Sequence, residues 1–241
     1  MQDGHRPKAE TMQAQVLSRL RHGLMEGALL PGQPISIRKF AAAFGTSAMP
    51  VRDAVAQLVA ANALQELPNR TVCVPILSRG RIRELFEVRA LLETRAAREA
   101  CARATPEFVE TLAQLNRPVD QESLRSVETK HDVLRRNWRF HFTLYSGACS
   151  EILMPLIESL WLQCGPTLYL TLETGNAAIA QAQHRRIVYG LARGDADLVA
   201  DALEREIRAT GETLLASYDT LHMNGPLAFI GPAGSSATAA E

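Results

Sequence analysis

The sequence predicts a mainly α-helical protein in two parts: a small helical head with a short two-stranded piece, then a larger all-helical bundle. Apolar residues recur every three to four positions over most of the chain, whereas strand-like alternation is confined to residues 64–74. The charge is also divided. The chain holds 26 Lys+Arg and 26 Asp+Glu, but residues 1–83 carry 11 basic against 5 acidic (+6) and residues 84–241 carry 15 against 21 (−6). A basic head on an acidic body suits a polyanionic partner for the head alone.

In the head, Val16, Leu20 and Leu24 form one helical stripe from Thr11 to about Gly27, closed by Gly27 and Pro31-Gly32. Ser36 caps a short second helix in which Ile37, Phe40, Ala41 and Phe44 share a face, and Gly45 stops it. A third helix follows after a tight turn. Ser47 is placed to cap it, Pro50 falls in its first turn, and Val51, Val55, Leu58 and Val59 make its apolar face. Ser47, Ala48, Met49 and Arg52 point the other way, as on a helix whose first turns enter a groove. Two short helices joined at a glycine are the signature of a helix-turn-helix. The period then changes to two short strands around Pro68-Asn69-Arg70, which reads as a wing with Arg70 at its tip, either meeting a phosphate or simply solvated.

From Arg79 onward the pattern predicts helices over residues 79–104, 106–116, 123–147, 150–172, 177–193 and 195–218, with Gly165-Pro166 expected to kink the fourth. These observations divide the chain into a winged helix-turn-helix over 1–77, a helical domain over 78–222 and a disordered Gly/Ala/Ser-rich tail over 223–241. No apolar run is long enough for a membrane span and the N-terminus lacks a signal-peptide core, so a cytoplasmic protein is expected. Cys73, Cys101, Cys149 and Cys164 lack metal-knuckle or disulfide-framework spacing and read as free thiols, mostly buried.

Four polar residues of the second part fall where apolar ones would pack better. Leu134, Trp138, His141 and Tyr145 share a stripe, with Asn137 one turn before His141. His184 lies on the inward face of Ala180, Ile187 and Leu191, and Glu206 lies with Val199, Leu203, Thr210 and Leu214. A lone inward histidine is commonly a satisfied core residue. Two imidazoles, an amide and a carboxylate converging are harder to account for, because a buried carboxylate needs a partner. That partner could be a divalent cation such as zinc or nickel beside neutral imidazoles. It could also be Arg89, on an inward stripe with Ile82, Phe86 and Ala96, which could instead hold the carboxylate of a small ligand.

The run Thr46-Ser47-Ala48-Met49-Pro50-Val51-Arg52-Asp53-Ala54 and the stretch Glu87-Val88-Arg89-Ala90-Leu91-Leu92-Glu93, in this order of domains, resemble the GntR family of bacterial transcription regulators, in its FadR-like branch with an FCD effector domain. The resemblance runs from about Thr11 to Tyr218. It implies a homodimeric, non-enzymatic regulator that binds double-stranded operator DNA under control of a small organic acid. It places operator contacts at Arg38, at the position of Ala48 and at Arg52. Ala48 stands where the family has an arginine, so a guanine contact worth about 1–3 kcal/mol of discrimination is absent. The family's metal ligands, an Asp and a His four residues apart and two later His, fall on Asn137, His141, His184 and Glu206. The two replacements leave the charge of the set unchanged, so the resemblance implies either an altered metal site or a pocket for an organic effector alone.

Overall fold

A computed structural model describes residues 11–116, 126–174 and 176–219. The expected frayed N-terminus, the start of the helix expected from Ser123 and the 223–241 tail lie outside these residues.

The head opens with α1 (Met12–Met25), where Thr11 Oγ1 accepts from the Ala14 amide and Val16, Leu20 and Leu24 are buried. Helices α2 (Ile37–Phe44) and α3 (Ala48–Ala60) follow, with Gly45 between them at φ +64, a left-handed conformation that closes α2 and that a side chain would strain. Val51, Ala54, Val55 and Leu58 bury one face of α3 against α1, and the opposite face stays in solvent. Ser47 does occupy the N-cap position with extended backbone, but its side chain makes no capping hydrogen bond. Strands β1 (Gln65–Glu66) and β2 (Val72–Cys73) pair antiparallel, and Pro34 bridges to Cys73. The turn between them is built locally. The Arg70 amide donates to the Leu67 carbonyl, the Thr71 amide donates to Asn69 Oδ1, and Arg70 takes φ +63.

The second part comprises α4 (Arg79–Cys101), α5 (Pro106–Leu115), α6 (Val127–Ser146), α7 (Leu153–Leu168), α8 (Asn176–Arg193) and α9 (Ala196–Ala216). Helix α4 packs on α9, α6 and α7, and α9 also packs on α8. Around Gly165-Pro166 the helix is not interrupted: α7 runs through Pro166 to Leu168 and tightens into a 3₁₀ turn over Tyr169–Thr174. Of the four cysteines, all free, Cys149 alone is exposed, and burial pushes the Cys164 thiol up to about 12.

Gly165 has a packing role. A Cβ on it would meet the Leu24 carbonyl oxygen, and would lie 2.7 Å from Met25 Cα and 2.8 Å from the Met25 carbonyl oxygen. The C-terminal end of α1 therefore rests directly on α7, backbone against backbone. Arg21 pairs with Glu158 of α7, and the His22 ring meets Trp138 of α6 edge-on with centroids 5.0 Å apart. Trp138, half-buried against the core beside Phe142, thus also contacts the head. The head is seated on the helices that build the site below.

Candidate functional site

Helices α6, α8 and α9 each bring one buried donor to a common point. His141 Nε2 lies 3.0 Å and His184 Nε2 3.1 Å from Glu206 Oε1, and the two imidazole nitrogens are 3.3 Å apart. All three side chains are almost wholly buried. Periodicity explains the convergence: each residue is an inward position of its helix, and Phe140 stacks on His184 with centroids 3.8 Å apart. Burial by itself would raise the Glu206 carboxyl, but the facing His184 and His141 outweigh it and lower it below the usual carboxylate range. At His184 burial wins and lowers the pKa, favouring the neutral ring.

The tautomer of His141 follows from its other side. Tyr145 donates its hydroxyl proton to Glu93 Oε2, since a carboxylate can only accept. The Tyr145 oxygen, 3.0 Å from His141 Nδ1, must then accept from an Nδ1–H. The His141 Nε2 lone pair consequently points toward Glu206 Oε1, two acceptor atoms face to face, with His184 Nε2 within reach of both. Glu206 Oε2 is buried without a hydrogen-bond partner. Two convergent imidazole nitrogens, one ionised carboxylate and an orphaned carboxylate oxygen form a donor set that a divalent cation fits, and the Glu93–Tyr145 relay orients the His141 ring from behind.

Arg89 does not pair with Glu206. Its Nε donates to Glu93 Oε1 at 2.7 Å and a terminal nitrogen to Oε2 at 3.3 Å, while its guanidinium lies over the Phe86 and Trp161 rings. Trp161 Nε1 also donates to Glu93 Oε1, so this fully buried carboxylate accepts from Arg89, Tyr145 and Trp161. The i, i+4 spacing of Arg89 and Glu93 gave a sign of this pair, but the Tyr145 and Trp161 bonds cross from other helices and leave no trace in sequence.

Arg89 nonetheless lines the same cavity, of about 70 Å³, as His141, His184, Glu206, Asn137 and Arg136. At ~10–15 Å³ for a water-sized group, this is room for a small organic molecule. Asn137 reaches the cavity from the turn before His141, and Leu134, Thr171, Asn176 and Thr210 also line it.

On the head, Arg38 is exposed in the first turn of α2, and Ser47, Met49 and Arg52 are exposed at the start of α3, with Ala48 half-buried. Met49 is 66% exposed, unusual for so apolar a side chain. Arg70 is exposed at the wing tip. Among the described residues, Arg38, Arg52 and Arg70 make no ion pair, which leaves their charge available to a partner.

A winged helix-turn-helix seated on a helical domain with a small polar cavity defines a ligand-responsive DNA-binding regulator. Residues 12–74 match the model of the bacterial regulatory proteins of the gntR family, and residues 84–209 match the FCD domain. The chain belongs to the GntR family and is a transcriptional regulator with an FCD effector-binding domain. It is 32% identical over 174 residues to the HTH-type transcriptional regulator McbR of Escherichia coli K12, covering 71% of this chain and 76% of that protein. It is 24% identical over 203 residues to the HTH-type transcriptional repressor RspR of the same organism, covering 83% and 87%. The structure of E. coli McbR/YncC superimposes with a TM-score of 0.76 at 26% identity, covering 86% of this chain and 99% of that one. Among the described residues, no helix is long and apolar enough to cross a membrane.

Proposed function

We propose that this regulator acts as a homodimer whose operator affinity is set by a small carboxylate bound beside a divalent cation in the helical domain. His141, His184 and Glu206 hold the cation, and Asn137 lines the same cavity. The cation supplies a Lewis-acidic positive charge for the carboxylate of the effector. Arg89, paired with Glu93, and Arg136, paired with Asp132, line the α4 and α6 walls and offer guanidinium N–H groups to the effector. The observation that carries this reading is the facing of His141 Nε2, His184 Nε2 and Glu206 Oε1 with Oε2 left unsatisfied.

In the head, α3 enters the major groove. Arg52, and Arg38 from α2, contact bases or phosphates, Ser47 meets the backbone, and Arg70 reaches a phosphate or the minor groove from the wing. Ala48 and Met49 present apolar surface to thymine methyls in place of an arginine–guanine contact. Paired half-sites follow from the two-fold of the dimer. An effector acts only by binding two arrangements of the heads with different affinity.

Two measurements test this. A band shift against the protein's own promoter region gives saturable, salt-sensitive binding that candidate acids alter; its absence under every condition refutes operator control. Metal analysis of the purified protein finds a divalent ion that His184→Ala loses. A metal-free parent returns the site to an organic pocket centred on Arg89.

A further inference from the structure

At the end of the cavity formed by the 3₁₀ turn and the start of α8 lies a polar wall to which the cation site assigns no role. Asn176, the first residue of α8, is 6% exposed. Its Nδ2 donates to Thr210 Oγ1 at 3.1 Å, and Thr210 Oγ1 donates its single proton to the Glu206 carbonyl at 2.9 Å. A carbonyl only accepts, so the Thr210 oxygen has only lone pairs to offer Asn176. The amide orientation follows: turned over, it would set two acceptors against each other. Asn176 Oδ1 is left buried with no hydrogen-bond partner.

Thr171, in the 3₁₀ turn and 3% exposed, has the same character. Its hydroxyl donates to the Leu168 carbonyl at 2.8 Å, so it too can offer the cavity only lone pairs. Both residues line the cavity. The guanidinium groups of Arg89 and Arg136 on the α4 and α6 sides, paired with Glu93 and Asp132, thus face a wall of hydrogen-bond acceptors. An apolar or purely anionic ligand would leave Asn176 Oδ1 desolvated and unpaired, the situation that gives a pocket discrimination against analogues lacking a donor.

We propose that Thr171 and Asn176 are specificity-determining residues for a hydrogen-bond donor, so that the effector is a small acid carrying a hydroxyl or ammonium group as well as its carboxylate. This inference rests on the carboxylate reading above. The carboxylate takes the cationic side and the donor takes Asn176 Oδ1, with Thr171 Oγ1 as second acceptor.

The test is calorimetric titration of the full-length, metal-replete protein with acids matched to parents that lack the donor: propionate against lactate and alanine, succinate against malate and aspartate. At least one substituted acid binds tenfold or more tighter than its parent, the scale of one neutral hydrogen bond at a buried acceptor. Asn176→Leu reduces that advantage below threefold while leaving the affinity of the parent acid within threefold of its original value. Thr171→Val narrows the same ratio and serves if the first variant does not fold. Equal binding of parent and substituted acids overturns the donor wall and leaves the carboxylate reading standing, as does an unchanged ratio in both variants. Failure of every acid to bind the metal-loaded protein overturns the carboxylate reading and the donor wall with it.

Discussion

Replacing Gly165 by alanine tests whether the head is seated on the effector domain. In an ordinary helix interior this change stabilises by roughly 0.5–1 kcal/mol, because alanine has less backbone freedom to lose. At Gly165 the new Cβ would lie 2.7 Å from Met25 Cα and 2.8 Å from the Met25 carbonyl oxygen, closer than side-chain carbons approach backbone. Neither atom can rotate aside, so α1 must move by several tenths of an ångström. Overpacking of this kind costs about 1–3 kcal/mol, and rigid opposing atoms favour the upper part of that range. The expected net effect is a loss of about 1–2 kcal/mol, or a fall in Tm of roughly 2–8 °C for a chain of this size. Gly80 supplies the control: it lies in α4 with only Ser78 Oγ within range, at 4.0 Å, so Gly80→Ala should hold or raise the Tm. Thermal unfolding of both variants, followed by operator titration, decides the matter. A Gly165→Ala protein that melts at or above the parent would refute the seating of α1 on α7.

Three further perturbations separate the parts of the machine. Tyr145→Phe removes the donor to Glu93 and the acceptor for His141 Nδ1; it should cost about 1–3 kcal/mol and weaken metal binding by roughly 10–100-fold, and unchanged values in denaturant and metal titrations would count against the relay. Glu206→Gln keeps the shape and removes the charge, so metal retained after dialysis should fall sharply; full stoichiometry would show that the carboxylate is dispensable. Arg52→Ala should lose about 1–3 kcal/mol of operator affinity if the residue reads a base, or lower the salt slope by about one if it contacts a phosphate. A variant as tight as the parent, with the parent's salt slope, would remove Arg52 from the interface.

Much of this architecture was legible because periodic burial is a local property. Val16, Leu20 and Leu24 on α1 and Val199, Leu203 and Leu214 on α9 lie at helical spacing and are buried together, and inward positions on three helices are enough to bring His141, His184 and Glu206 into one core. What escaped depends on which helix faces which. Arg89 was legible as inward, but its choice of Glu93 over Glu206 depends on Tyr145 and Trp161 arriving from α6 and α7. Trp138 shares a stripe with His141, yet lies at the edge of that stripe where α1 docks, so His22 takes it. The kink expected at Gly165-Pro166 rests on the proline alone. What the sequence could not show is that Gly165 beside it accommodates a neighbouring backbone within a continuous helix, a constraint that exists only in three dimensions.

Leu134 belongs to both halves of the molecule. It lines the cavity of the helical domain, and its Cδ1 lies 2.9 Å from where a Cβ on Gly27, just beyond the end of α1, would sit. Helix α1 has 14 residues and is therefore about 21 Å long. Pivoting it by about 5° at that end carries its far end nearly 2 Å, at 1.5 Å of length per residue, and α3 rides on the same helix. A hydrogen bond to a base edge does not survive such a displacement. The arrangement is a short arm bearing on a long one: a ligand that displaces the Leu134 side chain by a fraction of an ångström has the length of α1 to multiply it.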